Sequence, residues 1–232
     1  MNVLIIGAAG GIGKILVEDL VDLSFNLLLG YKTNVPVSKS AESQPVNGES
    51  FESVYNFVKY GLDKFGKIDA LVNLSGNLIL KPAHLCTEEE FNTTINKNLK
   101  SAFGVVRASG SLLNDCSVVL LSTAAAGIGL SNHELISSAK AGVEGLVKSA
   151  SKTYSRKNIR FNSVAPGLVD TPLSSKIVSN PIALKASEKM HALGRIGKPK
   201  DISNMIQFLI NPQNNWITGQ NFVVDGGLSS TK

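Results

Sequence analysis

A glycine-rich segment near the amino terminus limits the folds that this chain can adopt. Gly7-Ala-Ala-Gly-Gly-Ile-Gly13 follows the apolar segment Asn2–Ile6 and precedes a periodic apolar segment with Ile15, Leu16 and Leu20. Glycines let the backbone turn tightly and approach a pyrophosphate, and free amides at a helix start attract its negative charge. A strand, a glycine turn and a helix in this order are typical of a dinucleotide-binding βαβ unit. A tight strand-to-helix turn without a ligand is the alternative.

Short β-type segments alternate with helical patterns along the whole chain. This alternation predicts an α/β fold, a Rossmann-like doubly wound parallel sheet of about seven strands with helices on both faces. The predicted strands are Asn2–Ile6, Asn26–Gly30, Ile68–Asn73, Ser117–Ser122, Ile159–Val164 and Asn221–Val224. Neither a linker nor an internal repeat divides the sequence, so we expect a single domain over residues 1–232.

Three segments between these strands carry helical signals. Apolar residues recur at three- and four-residue steps from Phe51 to Phe65, which predicts a helix with one buried stripe. Thr87-Glu-Glu-Glu90 has the spacing of a capping box and predicts the start of another helix. The segment Asp201–Leu209 predicts a third helix, which ends before Pro212.

The segment from Thr33 to Ser50 interrupts the alternation. It is polar, contains proline and glycine, and shows no helical period. A βαβ crossover normally includes a helix. We therefore predict a shortened crossover without a regular helix, and at most a brief edge strand near Gln44–Asn47.

Composition and charge disfavour several classes of protein. Hydrophobic residues make up 43% of the chain and charged residues 18%, as in ordinary globular proteins. The amino terminus lacks the basic leader of a signal peptide, and no apolar run approaches the roughly 20 residues of a membrane span. We expect a cytoplasmic protein without a membrane partner. Two scattered cysteines and three scattered histidines predict neither a disulfide nor a metal site.

The net charge of +5 is spread along the chain. The densest basic group comprises Lys152, Arg156, Lys157 and Arg160, at the end of a predicted helix where cations complement the dipole. A solvated helix end explains this group better than a nucleic-acid patch, because cations at a helix end complement the dipole. We expect no nucleic-acid partner.

The residues after the second predicted strand bear on the choice between nicotinamide cofactors. An acid there would accept a hydrogen bond from the 2′-hydroxyl of the adenosine ribose and repel a 2′-phosphate. This chain has Gly30-Tyr-Lys-Thr-Asn34, with a cation and hydroxyl groups but no acid. NADP(H) is therefore favoured over NAD(H). The alternative is that Lys32 is an ordinary surface lysine.

Several motifs, in order and at suitable distances, resemble those of the short-chain dehydrogenase/reductase family, especially its 3-oxoacyl-carrier-protein reductase-like branch. Asn73-Leu-Ser-Gly76 is similar to the family's Asn-Asn-Ala-Gly motif, and Asn98 matches its helix asparagine. The segment VVLLSTAAAG resembles the strand that ends in the substrate-binding serine, and Pro166, Gly167 and Thr171 match the motif beside the nicotinamide. The resemblance covers nearly the whole chain, including its ending, WITGQNFVVDGG.

The resemblance implies a set of cofactor-binding residues. They are Gly7, Ala9, Gly10, Gly11, Ile12, Gly13, Tyr31, Lys32, Asn73, Ser75, Gly76, Lys140, Pro166, Gly167 and Thr171. It also implies a homo-oligomer, a tetramer or a dimer, formed through the helices that contain Asn98–Arg107 and Ser137–Tyr154 and through the C-terminal strand.

The family's active site commonly contains Asn, Ser, Tyr and Lys, the last two as Tyr-x-x-x-Lys. Asn98 and Lys140 occupy the asparagine and lysine positions. The serine position falls on Thr123, with Ser122 next to it, and the tyrosine position falls on Ile136. The resemblance thus implies catalytic roles for Asn98, Thr123, Ser122 and Lys140, but the usual proton donor is missing.

The missing phenol leaves more than one function open. We expect an NADP(H)-dependent carbonyl or 3-oxoacyl reductase-like oxidoreductase, of reduced or altered activity, that acts on a small carbonyl compound or alcohol. The alternatives are a catalytically inactive NADP(H)-binding pseudoenzyme, acting as sensor or assembly subunit, and a reductase whose substrate needs no enzyme proton donor. Candidate replacement donors are Thr123, Ser137, His133 and a water held by Lys140 and Asn98. Leu173 to Lys189, expected to be loop-rich, could form a mobile lid over the substrate.

Overall fold

Seven parallel strands form one sheet in a computed structural model that describes residues 1–36, 38 and 40–231. Their spatial order is β3-β2-β1-β4-β5-β6-β7. The strands are β1 Asn2–Ile6, β2 Asn26–Tyr31, β3 Glu42–Pro45, β4 Ala70–Asn73, β5 Ser117–Leu121, β6 Arg160–Pro166 and β7 Asn221–Val224. The strand order reverses beside β1, where β2 pairs on one side and β4 on the other. The predicted doubly wound parallel sheet is confirmed.

Helices cover both faces of this sheet. They are α1 Gly11–Asp22, α2 Phe51–Phe65, α3 Glu88–Ile95, α4 Ser101–Leu112, α5 Glu134–Thr153, α6 Ser175–Val178, α7 Pro181–Met190 and α8 Pro199–Ile210. A π-helical turn, Asn96–Lys100, joins α3 to α4. Apolar side chains of α2, α4 and α5 pack in one core cluster, and those of α1 and α8 pack in the other.

Strand β1 shows how one segment supplies both cores. Leu4 and Ile6 belong to the cluster with α2, α4 and α5, whereas Val3 and Ile5 belong to the cluster with α1 and α8. Successive side chains of a strand point to opposite faces, so a strand buried on both faces must be apolar throughout. Burial of each such side chain contributes about 1.5–3 kcal/mol.

Two of the helix predictions rest on local signals, and both are confirmed. Helix α2 has the predicted bounds, and its N-cap Ser50 accepts a hydrogen bond from the Ser53 amide. At the start of α3, the Glu90 amide donates to the Thr87 hydroxyl at 3.1 Å, and the Thr87 amide donates to the Glu90 carboxylate at 3.0 Å. This reciprocal pair is the predicted capping box.

The shortened crossover has an edge strand, but its predicted position is two residues too late. Among the described residues of the segment 33–50, β3 begins at Glu42 and ends at Pro45, and no helix is present. The register is set by pairing with β2, in which Leu28 faces Glu42 and Tyr31 faces Pro45. A polar edge strand has no apolar alternation from which its bounds could be predicted.

Other boundaries differ from the prediction because pairing partners determine where strands end. Strand β2 continues to Tyr31, β4 begins at Ala70 rather than Ile68, and β5 ends at Leu121, which leaves Ser122 outside it. Strand β6 extends to Pro166 because β7 pairs with it as far as Val224. Helix α8 begins at Pro199, a residue type suited to a first helical turn, two residues before the predicted start.

The expectation of a loop-rich segment at Leu173–Lys189 is wrong. A 3₁₀ turn, Pro172–Ser174, leads into α6 and α7. Asn180 caps α7, and its side-chain oxygen accepts hydrogen bonds from the amides of Ile182 and Ala183. This cap and the following proline begin a helix in a composition that shows little periodicity.

No helix of the described residues is long and apolar enough to cross a membrane. The same part of the chain contains no group of three or more His, Cys, Asp or Glu side chains arranged to hold a metal ion.

The close packing of α4 against the end of α5 leads us to expect that an added side chain at Gly110 destabilises the protein. A Cβ atom at Gly110 would lie 2.3 Å from Cε1 of Tyr154, whose ring packs on Phe161 with centroids 5.7 Å apart. We expect Gly110→Ala to lower the free energy of unfolding by about 1–3 kcal/mol, because the aromatic pair must shift. Urea denaturation monitored by circular dichroism measures this change.

The control is Gly129→Ala in the exposed loop before α5, where φ is not positive and a Cβ atom would meet nothing within 4 Å. We expect this variant to change the free energy of unfolding by no more than about 0.5 kcal/mol, because it is an exposed substitution that meets no neighbour. Equal destabilisation of both variants would contradict the packing argument.

Candidate active site

The turn between β1 and α1 requires its glycines. Gly7 has φ +83°, and a Cβ atom there would lie 3.0 Å from the Leu74 carbonyl carbon. A Cβ atom at Gly13 would lie 2.5 Å from the Gly7 oxygen and 2.6 Å from the Ala8 oxygen, which are backbone atoms and cannot rotate away. The turn therefore depends on residues without side chains.

The start of α1 is suited to an anion. Its N-cap, Gly10, supplies no side-chain hydrogen bond, and its first turn contains no acidic residue. The first amides of a helix lack intrahelical partners and carry the positive end of the helix dipole. A diphosphate would satisfy these amides, so the turn fits the pyrophosphate of a dinucleotide.

An open cavity of about 450 Å³ lies beside this turn, and we refer to it as the nucleotide cavity. It is lined by Ile6, Gly7, Ala9, Gly10, Lys14, Tyr31, Lys32, Thr33, Asn34, Val46, Gly48, Glu49, Leu74, Ser75, Gly76, Lys97, Ser101 and Pro172. The carboxyl ends of β1, β2, β3 and β4 contribute to it, at the point where strand order reverses. Ligands of open parallel sheets bind at this kind of position.

Seven of the predicted cofactor-binding residues line the nucleotide cavity: Gly7, Ala9, Gly10, Tyr31, Lys32, Ser75 and Gly76. Gly11 lies against Thr171, because a Cβ atom at Gly11 would be 2.8 Å from the Thr171 Cβ. Ile12 is partly buried and packs on a core cluster.

Asn73 organises the loop at the end of β4. Its side-chain oxygen accepts a hydrogen bond from the Ser75 amide at 3.1 Å, and its side-chain nitrogen donates to the Ser101 hydroxyl at 3.1 Å. Asn73 is buried, whereas Ser75 and Gly76 line the cavity. The asparagine side chain therefore shapes the backbone that borders the cavity.

Lys32 forms an ion pair with Glu49, a residue of the segment between β3 and α2. The segment after β2 contains no acid, as the sequence shows, but Glu49 brings a carboxylate to the same place. Glu49 could not be assigned to this place from the residues after β2, because it follows β3 and lies 17 residues from Lys32 along the chain. The edge strand predicted for β3 was the signal available, since the carboxyl ends of parallel strands share one edge of the sheet.

Lys140 is a buried amine on α5. Its Nζ donates a hydrogen bond to the Leu121 carbonyl oxygen at 2.8 Å, at the end of β5. Burial lowers the pKa of Lys140 from its ordinary 10.5 to about 8, because the charged form loses its hydration. The amine is therefore close to its titration range at neutral to mildly alkaline pH.

Asn98 lies in the π-helical turn and faces the same region. Its side-chain nitrogen donates to Asn77 Oδ1 at 2.7 Å and to the Thr94 carbonyl at 3.0 Å. Its Oδ1 is the one buried side-chain nitrogen or oxygen without a hydrogen-bond partner among the described residues. A Cβ atom at Gly76 would lie 2.8 Å from this Oδ1 and 3.7 Å from Lys140 Nζ, so both polar atoms border one small space.

A second cavity, of about 160 Å³, lies on the other side of this region, and we refer to it as the apolar cavity. Its lining includes the predicted residues Thr123, Pro166 and Gly167. Most of the remaining lining is apolar: Leu78, Ala124, Ala125, Leu130, Ile136, Leu168, Ile177, Met190 and Leu228. The polar groups beside them are His133, Ser187 and His191.

Ile136 occupies the wall of the apolar cavity, where it is 3% exposed. It cannot donate or accept a proton. Ser137, the next residue, donates its hydroxyl to the Ala125 carbonyl at 2.9 Å. His133 donates from Nδ1 to the Ser131 carbonyl at 2.8 Å, and its Nε2 has no hydrogen bond to any described residue.

The neighbouring hydroxyl groups of Ser122 and Thr123 have different surroundings. The Ser122 hydroxyl donates to Glu144 Oε1 at 2.6 Å, and Ser122 does not line either cavity. Among the described residues, the contacts of the Thr123 hydroxyl are long: 3.5 Å to the Pro166 oxygen and 3.4 Å from the Ala125 amide. Thr123 is therefore the hydroxyl available to a molecule in the apolar cavity.

Sequence reasoning also did not single out His191. This buried residue donates from Nδ1 to the Ser187 carbonyl at 2.6 Å and accepts at Nε2 from the Leu168 amide at 3.3 Å. Both ring nitrogens are thus engaged in holding the backbone around the apolar cavity. The tertiary position of α7 places this ring, and the sequence holds no local signal for it.

Comparison with known proteins agrees with this architecture. Residues 7–229 match the family described as enoyl-(acyl carrier protein) reductase. The chain is 33% identical over 246 residues to the 3-oxoacyl-(acyl-carrier-protein) reductase FabG of Thermotoga maritima. The aligned region covers 97% of this chain and 96% of that protein.

Two solved structures have a similar fold. The ligand-free aldohexose dehydrogenase of Thermoplasma acidophilum is 26% identical, with a TM-score of 0.90 over 100% of this chain and 95% of that chain. ElxO with NADP bound is 25% identical, with a TM-score of 0.89 over 99% of both chains.

The buried amine predicts a pH-dependent stability. The unfolded chain binds more protons than the folded chain between about pH 8 and 10.5, so the contribution of Lys140 to stability rises with pH in this interval. The difference between the folded and unfolded pKa values of Lys140 corresponds to about 3 kcal/mol in the free energy of unfolding. Relative to Lys140→Met, the wild-type protein should therefore gain about 3 kcal/mol between pH 7 and 10.5. Chemical denaturation at several pH values measures it.

Lys148→Met, which replaces an exposed lysine of the same helix, is the control. The difference between this variant and the wild-type protein should stay nearly constant across the same pH range. A constant difference for Lys140→Met as well would show that burial does not perturb the amine.

Proposed function

The chain belongs to the short-chain dehydrogenase/reductase family, and on this premise we propose that it is an NADP(H)-dependent oxidoreductase that reduces carbonyl or 3-oxoacyl groups, with reduced or altered activity. One observation carries the proposal. The buried Lys140 amine and the Asn98 oxygen, which has no partner among the described residues, border one space beside Gly76 at the nucleotide cavity. A lysine buried there with no ion-pair partner in the described part of the chain is costly for stability, which supports a functional reason for it.

The residues of the nucleotide cavity fit the proposed cofactor. The glycine turn and the start of α1 would hold the pyrophosphate, and the loop of Ser75 and Gly76 would border the nicotinamide half. Lys32 would meet the 2′-phosphate of NADP(H), and ElxO, a relative of similar fold, is known with NADP bound. The cofactor supplies or accepts a hydride at its nicotinamide ring. Lys140 would bind the ribose that carries this ring, and Pro166, Gly167 and Thr171 would flank it.

The apolar cavity supports a small carbonyl compound or alcohol as substrate. Its mainly aliphatic lining would limit the access of water to the reacting carbon, and the Thr123 hydroxyl would donate a hydrogen bond to a carbonyl oxygen. Asn98 and Lys140 would hold a water that connects the site to solvent. Ser122 is the weakest member of the proposed catalytic set, because Glu144 accepts its hydroxyl hydrogen.

The absence of a phenol at Ile136 limits the rate rather than the reaction type. A general acid accelerates such a step by roughly 10²–10⁴, or about 3–5 kcal/mol. Alignment of hydride donor and acceptor contributes about 7–11 kcal/mol and does not depend on the phenol. We therefore propose slow turnover, or turnover with a different proton source.

The surroundings of the candidate proton sources differ. Ser137 is bound to the Ala125 carbonyl, which makes it the least available. His133 lines the apolar cavity, and its Nε2 has no partner among the described residues. A water between Asn98 Oδ1 and Lys140 would have two fixed partners. These two are the sources that we favour. Thr123 would need a neighbouring group to return a proton to its hydroxyl, and no titratable side chain among the described residues contacts that hydroxyl.

The second candidate function is a nucleotide-binding pseudoenzyme that acts as a sensor or an assembly subunit. The buried aliphatic side chain of Ile136 at the reaction centre favours it. We further propose that the protein is cytoplasmic and assembles as a homodimer or tetramer through α4 and α5. The open side of α5 at Gly145 leaves room for close helix packing between subunits.

Binding and turnover of NADPH test the proposed function directly. We expect NADPH fluorescence to change on binding at micromolar concentrations, and generic ketones or 3-oxoacyl thioesters to be reduced slowly. Lys140→Ala should lower this activity by at least tenfold, because it removes the amine beside the nicotinamide ribose. An activity untouched by Lys140→Ala would refute the proposed mechanism, and failure to bind either nicotinamide cofactor would refute both candidate functions.

Restoring the phenol separates the slow enzyme from the pseudoenzyme. We expect Ile136→Tyr to raise kcat by roughly 10²–10⁴, because Lys140 lies one helical turn away and would stabilise the phenolate. The control is Ile177→Tyr, which adds a phenol elsewhere on the wall of the apolar cavity and should not raise kcat. A wild-type protein that binds NADPH without turnover, and gains turnover only from Ile136→Tyr, would be the pseudoenzyme.

A further inference from the structure

The ion pair of Lys32 and Glu49 lies in the nucleotide cavity, where the cofactor's adenosine ribose is proposed to bind. We infer that Glu49 is a specificity-determining residue: it holds the Lys32 ammonium in the free protein and thereby weakens the preference for a ribose 2′-phosphate over a 2′-hydroxyl. This inference rests on the proposed binding of a nicotinamide dinucleotide. It does not require that the protein catalyse a reaction.

The fold places the two side chains together. Strands β2 and β3 are parallel, and Tyr31 faces Pro45 at their carboxyl ends. The Val46 amide then donates to the Tyr31 carbonyl at 2.7 Å, which continues the ladder beyond the strand. Lys32 follows this point on one strand, and Glu49 follows it on the other.

The position of Glu49 is held by the turn that precedes α2. Its amide donates to the Asn47 side-chain oxygen at 3.2 Å, and the Ser50 amide donates to the Asn47 carbonyl at 3.0 Å. The Glu49 side chain is 26% exposed, whereas that of Lys32 is 55% exposed. The carboxylate is thus the more fixed partner, and the lysine the partner that can move to a ligand.

The charges around the cavity are unequal. Lys14, Lys32 and Lys97 line it, and Glu49 is the one carboxylate among the described lining residues. Of the three lysines, only Lys32 has an ion-pair partner within the described part of the chain. The cavity therefore favours anions, and Glu49 opposes this preference at the end of β2.

A ribose 2′-phosphate would compete with Glu49 for the same ammonium. The phosphate carries a charge of roughly −1.5 to −2 near pH 7, so it would bind Lys32 strongly but would be repelled by the adjacent carboxylate. A 2′-hydroxyl carries no charge and leaves the pair intact. Exposed ion pairs are weak, so a 2′-phosphate can displace Glu49 from Lys32. Breaking this pair lowers the affinity for NADP(H) and leaves the affinity for NAD(H) unchanged.

The experiment measures dissociation constants rather than turnover. NADPH and NADH are titrated by fluorescence, and adenosine 2′,5′-bisphosphate and AMP by calorimetry, against the wild-type protein, Glu49→Gln and Lys32→Gln. Glu52→Gln is the control for net charge, because Glu52 is an exposed acid three residues away that does not line the nucleotide cavity.

We expect Glu49→Gln to tighten NADPH and adenosine 2′,5′-bisphosphate by about 3- to 10-fold, with NADH and AMP changed less than twofold. Lys32→Gln should weaken the two 2′-phosphorylated ligands selectively. In the Lys32→Gln background, Glu49→Gln should have a smaller effect, since the competition for the ammonium no longer exists. Glu52→Gln should leave the ratio of NADH to NADPH dissociation constants unchanged.

Two outcomes would overturn the inference. A ratio that Glu49→Gln leaves unchanged would mean that the carboxylate does not compete with the 2′-phosphate. Equal weakening of all four ligands would mean that Glu49 only shapes the cavity. Neither outcome affects the proposed function, which fails instead if the wild-type protein binds neither NADPH nor NADH.

Discussion

Parallel pairing of β1 with β2 on one side and β4 on the other is the constraint on which the candidate site depends. In this register Ile6 faces Gly30 and Asn73, so all three strands end at the same edge of the sheet. The glycine turn, Lys32 and the loop of Gly76 follow these ends directly and therefore share one cavity. A shift of one residue in either pairing would turn the side chains to the opposite face and separate these groups.

The parts of the structure that the sequence predicts best are those whose cause is local. The turn from Gly7 to Gly13 needs glycines wherever it occurs, and the periodicity of α2 and the capping box at Thr87 are complete within a few residues. The parts it predicts poorly depend on a distant partner. Strand β3 takes its bounds from pairing with β2, and Glu49 reaches Lys32 only because of that register. Local propensity contains no information about such a pairing.

Ser122 and Thr123 illustrate the same limit at the scale of one residue. Adjacent residues that leave an extended strand point in opposite directions, so only one of the two hydroxyl groups can face the apolar cavity. The sequence places both at the end of β5 but does not say where the strand ends. The strand ends at Leu121, the Ser122 hydroxyl meets Glu144, and Thr123 is left to face the cavity.

The polar groups beside Gly76 are held independently of Ile136. Lys140 is held by the Leu121 carbonyl, and Asn98 by Asn77 and Thr94, so neither depends on the residue at position 136. Under the proposed function, the nucleotide side of the site can therefore be intact although the substrate side has no phenol as proton donor. This independence explains why a slow reductase and a nucleotide-binding pseudoenzyme are compatible with one and the same fold. Under the proposed function, the proton supply in the apolar cavity decides between them.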